Sequence, residues 1–190
     1  RFDGVDDYIR VTDASDHIVF GTGAMTIEFW INTTQTSTAR VMGRGANTNG
    51  EWFFRANSNA SEFFKWRDST GNRNLNTSSN LIGDGNWHHV AVVRISNTIK
   101  LYIDGTEEDS DSFSGDWFIH DTNYFALGRG IDAGTSEWFN GHLDDVRIVK
   151  GLGVYTGNFT PQTTALTTTW SAGTNIAANS DATKVKLLIH

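Results

Sequence analysis

The chain has 190 residues, 38% of them hydrophobic and 12% aromatic, with no cysteine and a formal net charge of −7. That length fits one domain with a substantial core and no need of staples, while the missing cysteines exclude a disulfide scaffold, a thiol enzyme and a cysteine-ligated zinc protein. The negative balance, without a cluster of Lys and Arg, excludes a nucleic-acid partner, and no apolar run approaches the ~18 residues of a membrane helix.

Phe2 to Thr12 reads as a first strand, with Val5, Ile9 and Val11 on one side and Asp3, Asp6 and Asp7 crowding it with carboxylates. The opening Arg1-Phe2-Asp3 stands mid-strand, the mark of a piece cut from something longer. Asp13 to Gly23 is loop, with Ile18, Val19 and Phe20 packing as a short turn. In Met25 to Asn32, Met25, Ile27, Phe29 and Ile31 alternate with Thr26, Glu28, Trp30 and Asn32, the period of two that a half-buried strand requires. Arg40 to Gly45 is a short strand, and Glu51 to Ala56 pairs with Glu62 to Asp68 across the turn-rich NSNAS. Trp52 shares a face with Phe54, and Phe64 shares one with Trp66. Gly71 to Gly85, rich in Asn, Ser and Thr, reads as a long surface connection.

The strongest signal runs from Gly85 to Gly105, GNWHHVAVVRISNTIKLYIDG. Two alternating runs flank Ser96, Asn97 and Thr98, and the second closes on Asp104-Gly105, a turn pair. This is an antiparallel hairpin. An acidic segment follows, Glu107, Glu108, Asp109 and Asp111, read as a solvated turn, then Trp117, Phe118 and Ile119. Tyr124 to Gly130 and Trp138 to Val149 are the last strong strands of the sandwich. Thr156 to Trp170, which holds the only proline, reads as an extended strap, and Lys184 to His190 is a final strand-like run. Short strands at close spacing, with no helical period, predict an all-β antiparallel sandwich of two sheets with jelly-roll topology. Residues 1–160 form that sandwich, and 161–190 form a strap and strand that pack on it or lead into a neighbouring unit.

FDGVDDYI near the start, MTIEFWIN, GNWHHVAVVR with KLYIDG, FALGRG, and GHLDDVRIVKG with YTGNFTP together resemble the laminin-G-like (LamG) branch of the concanavalin A-like lectin/glucanase superfamily. The resemblance covers Phe2 to about Pro161. It implies two antiparallel sheets of six or seven strands each, and a non-catalytic binding module on an extracellular, cell-surface or virion protein. Family members often carry a structural calcium near the rim. The superfamily's glucanases use a Glu-x-Asp-x-x-Glu strand, which is missing here, and there is no Gly-x-Ser-x-Gly elbow. An enzyme is not expected.

Two constellations could carry chemistry. Asp3, Asp144 and Asp145 come together in the fold that the resemblance implies, and Asp144 falls in register with Val146 and Ile148, facing the core. An inward carboxylate needs a partner, which is either calcium or a set of backbone donors with Arg147 or Arg10. His88 and His89, adjacent on a strand, point to opposite faces and cannot converge on one ion. The second constellation is aromatic: seven tryptophans are many for a core of this size, and an exposed one is a platform for the apolar face of a sugar. Trp30 and Trp87 read as packing. Trp66, Trp117 and Trp138, with Tyr102, are the expected contacts for a glycan or polysaccharide, the alternative being that they fill the core or meet protein. Neighbouring copies or domains of a surface assembly are then the partners.

Overall fold

A computed structural model describes residues 1–12, 18–45, 51–57, 62–68, 71–117, 124–130 and 137–190. Asp13 to His17 of the Asp13 to Gly23 loop, the NSNAS turn after its first residue, and Phe118, Ile119 and His120 lie outside the described residues. The strands are β1 (Phe2–Asp3), β2 (Ile9–Thr12), β3 (Met25–Asn32), β4 (Ala39–Arg44), β5 (Trp52–Ala56), β6 (Phe64–Asp68) and β7 (Gly71–Leu75). They continue with β8 (Trp87–Ile95), β9 (Thr98–Ile103), β10 (Thr106–Ser112), β11 (Tyr124–Leu127), β12 (Asn140–Lys150) and β13 (Val185–Ile189).

Two antiparallel sheets face each other. One runs β1-β12-β3-β8-β9-β10, with β13 also paired to β12, and the other runs β2-β11-β4-β5-β6-β7. Alternation explains which residues lie between them. Ile27, Phe29 and Ile31 of β3, Val90 and Val92 of β8, and Trp52, Phe54, Phe64 and Trp66 of β5 and β6 all enter the common core. Trp117, Phe20 and Phe113 close it into an aromatic cluster with centroid separations of 5.4 to 6.0 Å around Trp66 and Phe64. A pair of open edges, β7 and β10, is tied by Arg73 to Asp111 at 2.9 Å and by the Asn76 N–H to Asp109 at 2.8 Å.

Three expected elements change. Phe2 to Thr12 is two strands in different sheets, because Asp3 accepts the N–H groups of Val5, Asp6 and Asp7 and Gly4 turns at φ 81°. The long connection after Gly71 begins with a strand, β7. The acidic segment is likewise a strand, β10: Glu107 meets Lys100, Glu108 accepts from Ser78, and Asp109 and Asp111 hold the β7 side. Charged side chains on an edge strand also discourage pairing with a further chain.

Beyond β12 the chain crosses the outer face of the seven-stranded sheet and builds a second core from Ala91, Val93, Tyr102, Val149, Val154, Tyr155 and Phe159, with Trp170 and Ile176 against it. Tyr155 and Phe159 stack at 3.6 Å and 4°. The Asp104-Gly105 turn seats this strap. Gly105, at φ 78°, approaches Phe159 so closely that a Cβ there would lie 1.9 Å from its carbonyl oxygen, and Gly105 O accepts the Phe159 N–H at 3.0 Å. β13 then returns to pair with Val146 to Val149 of β12 in the same chain.

Candidate functional site

Outward residues of β3, β8 and β12 lie in ordered rows across the outer face. His142, Asn32 and Trp87 make one row, Asp144, Trp30 and His89 the next, and Arg147, Glu28, Ala91 and Tyr102 the third. The strap covers the third row and part of the second, and leaves the rest open.

The covered part is a closed polar network. Glu28, fully buried, accepts from Arg147 at 2.8 and 2.6 Å, meets His89 Nε2 at 3.2 Å and accepts the Tyr155 hydroxyl at 2.5 Å. Burial by itself raises a carboxyl's pKa, but the His89 hydrogen bond and the Arg147 charge outweigh it and hold Glu28 below its usual range. The same burial, with the Glu28 charge beside it, drives the Tyr155 phenol well above the usual range. Arg147 also donates to Thr167 O at 2.9 Å and lies 4.0 Å above the Trp170 ring. Every partner belongs to the sheet or the strap, so this network fastens one to the other. It gives no access to a substrate.

The open part is an aromatic cleft. Trp87 is 46% exposed, Trp30 is half-buried, and with Asp144, Asp145 and Thr163 they line a depression of about 270 Å³. His142, exposed, lies 6.2 Å from the Trp87 ring, and Trp30 packs edge-on against His89 at 5.3 Å. Trp87 is therefore exposed where packing was expected, while Trp30 packs on His89 and also borders the cleft. The signal was in the alternation: both stand opposite in phase to Ile31 and Phe29.

The expected platform residues lie elsewhere. Trp66 and Trp117 are core, 0% and 1% exposed, and Tyr102 is buried beneath Phe159, so none of the three presents a face to solvent. Trp66 points inward because it shares the Phe64 face, and Trp117 because it bridges to Gly21 at the mouth of the core. Trp138 is half-exposed, but on another surface, where it lies 6.2 Å from Tyr8 with the Arg129 guanidinium 4.8 and 5.0 Å from the two rings.

Nor do Asp3, Asp144 and Asp145 converge. Asp3 stands opposite Asn140, four residues along β12 from Asp144, which is about 13 Å at the usual rise of a strand. A bulge at Asp145, with φ 48°, resets the alternation: Leu143 faces in, Asp144 faces out and is exposed, and Val146 faces in again. Asp145 accepts the Leu166 N–H at 3.2 Å and contacts His190, tying strap and C-terminal strand to the bulge. These three residues do not fit a calcium. Among the described residues one acidic group gathers its oxygens within 4.8 Å, Asp3 with Asp6 and Asp7, all exposed, and one Asp3 oxygen already serves three backbone N–H groups. His88 and His89 are both engaged apart, His88 with Asp104 at 2.7 Å and Asp84 at 3.0 Å.

The two-sheet sandwich agrees with the result of family comparison, in which a laminin G model described as the concanavalin A-like lectin/glucanases superfamily matches residues 3–152. The chain belongs to that superfamily. A search of curated proteins finds no match. Among solved structures, mouse laminin α1 domains LG4-5 superpose with a TM-score of 0.60 at 15% identity, over 77% of this chain and 39% of that one. The binding domain of botulinum neurotoxin serotype D/C gives 0.57 at 15%, over 80% and 40%. Domain 4 of AbnA, an extracellular arabinanase of Geobacillus stearothermophilus in complex with arabinotriose, gives 0.54 at 22%, over 78% and 68%. At these identities the likeness is one of fold. The chain spans about two-fifths of the laminin and neurotoxin chains.

Proposed function

We propose that this laminin-G-like domain is a non-catalytic carbohydrate-binding module, of an extracellular, cell-surface or virion protein, that holds its glycan in the Trp30–Trp87 cleft. The observation that carries the reading is the exposed Trp87 ring beside Trp30 and the exposed Asp144, in the part of the sheet face that the strap leaves uncovered. A tryptophan face takes the apolar face of a sugar, and neighbouring polar groups orient its hydroxyls. Support also comes from the AbnA domain, a similar fold crystallised with an oligosaccharide. The carboxyl best placed by burial for general acid chemistry, Glu28, is sealed under the strap and bound on both oxygens. Among the described residues no helix is long and apolar enough to cross a membrane.

The test is a polysaccharide and oligosaccharide panel, run with calcium and with chelator, on the chain and on Trp87→Ala. Binding that falls at least about tenfold, or 1.4 kcal/mol, in the variant supports the cleft. Undiminished binding in Trp87→Ala removes it. The two buffers decide whether calcium, by way of the Asp3, Asp6 and Asp7 group or any other, takes part.

A second reading is a structural or adhesive repeat, favoured by one surface. The edges β1, β13 and β2 flank a cleft of about 300 Å³ lined by Phe2, Ile9 and Leu143, beside the exposed Val5 and Tyr8. Concentration-dependent assembly in light scattering, lost on Tyr8→Ser with Ile9→Ser, supports it; a monomer at all concentrations opposes it.

A further inference from the structure

Resting on the reading of the Trp30–Trp87 cleft as a glycan site, we infer that the cleft selects neutral or amino sugars and turns away glycans that carry carboxylate or sulfate. Among the described residues the polar lining consists of Asp144, Asp145 and Thr163, with no Lys or Arg. Asp144 is exposed, and among the described residues its hydrogen bond uses a single oxygen, which accepts the Asp145 N–H at 2.8 Å. An ionised carboxylate only accepts hydrogen bonds, so its second oxygen calls for a donor, a sugar hydroxyl or an ammonium.

The guanidinium on the strand that lines the cleft is already committed, and the other basic side chain beside it, His142, stands against the Trp87 ring. Arg147, next to the bulge, gives Nε and one terminal nitrogen to Glu28, gives the other to Thr167 O, and has its plane covered by Trp170. Asp84 and Asp104, at the same end of the sheet, are exposed carboxylates shared with His88. The whole chain carries −7. An acidic sugar stacked on Trp87 would bring a like charge near Asp144, a repulsion that opposes binding and that salt weakens. Two tryptophan faces beside a carboxylate also suit an ammonium, through cation–π attraction and charge together. The size of the cleft, about 270 Å³, is below the usual range for drug-sized ligands and matches a chain end or short segment.

The experiment compares the full chain with Asp144→Asn and Trp87→Ala by calorimetry at low salt with chelator present. The probes are xylo- and arabino-oligosaccharides as neutral sugars, chitosan oligomers as amino sugars, and oligogalacturonate and heparin fragments as acidic ones. Neutral or amino probes should bind, acidic probes should bind at least about tenfold more weakly, and Asp144→Asn should narrow that gap, as removal of a like charge requires. An acidic probe that binds best, and is lost in Trp87→Ala, overturns the selectivity while leaving the cleft as the site. Binding indifferent to Trp87→Ala, or binding of no probe, overturns the underlying reading. A calcium-dependent preference for acidic probes in a parallel run also overturns the selectivity, since the ion would then supply the missing positive charge.

Discussion

The same three strands, β3, β8 and β12, carry a closed half and an open half on one face, and the two differ in what lies above them rather than in composition. Glu28 and Trp30 are two residues apart on one strand and point the same way, yet one is fully buried and the other lines a cleft. Where Tyr155, Phe159 and Trp170 descend, Glu28 and Arg147 become fasteners, bonded to His89, Tyr155 and Thr167. Where the strap passes beside Trp87 and Asp144 at Thr163 without covering them, they are left to a ligand. Burial by a segment far along the chain thus decides whether an outward residue is structural or functional.

The largest break in this contrast is Glu28→Ala, which leaves Arg147 buried beside a vacated partner. It should cost about 3 to 5 kcal/mol and show as a lower Tm, with proteolytic nicking between residues 152 and 185. Trp66→Ala should cost a similar ~3 to 5 kcal/mol by opening a cavity in the main core, while the fraction that stays folded binds glycan normally. That outcome separates a core tryptophan from a platform tryptophan. By contrast Trp87→Ala should change stability by less than about 1 kcal/mol and remove binding.

Asp145→Ala removes the acceptor for the Leu166 N–H and the contact with His190, so it should cost about 1 to 2 kcal/mol and weaken binding modestly by loosening the wall that Thr163 provides. The smallest effect is a pH dependence. Burial lowers the His88 pKa, but hydrogen bonds to Asp104 and Asp84 outweigh it and the value is raised. A raised folded value means a stabilisation that is complete below the unfolded value of about 6.5 and disappears as pH rises through the folded one. The Tm gap between the wild-type chain and Asp84→Asn should therefore shrink as pH rises from about 6 into the alkaline range; a gap that widens contradicts it.

Alternation made much of the fold legible. MTIEFWIN and the Gly85 to Gly105 hairpin showed their faces, and the family motifs fell in the order of a two-sheet sandwich. The split of the first strand is signalled by Asp3-Gly4, the same pair that closes the hairpin at Asp104-Gly105, but the apolar residues on both sides read as one run and conceal it. The bulge at Asp145 carries no glycine to mark it, and it moves Asp144 from the core face to the surface. For the tryptophans, irregular flanking sequence was a poor guide to exposure, whereas phase against Phe64 places Trp66 inside and phase against Val90 and Val92 places Trp87 outside. Which part of the outer face the strap covers depends on contacts between residues more than 100 apart, such as Tyr155 with Glu28, and no local pattern encodes them.

The most direct measurement is an indole N–H NMR spectrum of the chain, in which each of the seven tryptophans gives one signal, titrated with an oligosaccharide that the panel identifies. Signals of Trp87 and Trp30, assigned by Trp87→Phe and Trp30→Phe, should move together, while those of the buried Trp52, Trp66 and Trp117 stay in place. Movement of Trp138 with Trp87 and Trp30 unchanged would contradict the account and put the ligand on the opposite side, at the Tyr8–Arg129 stack.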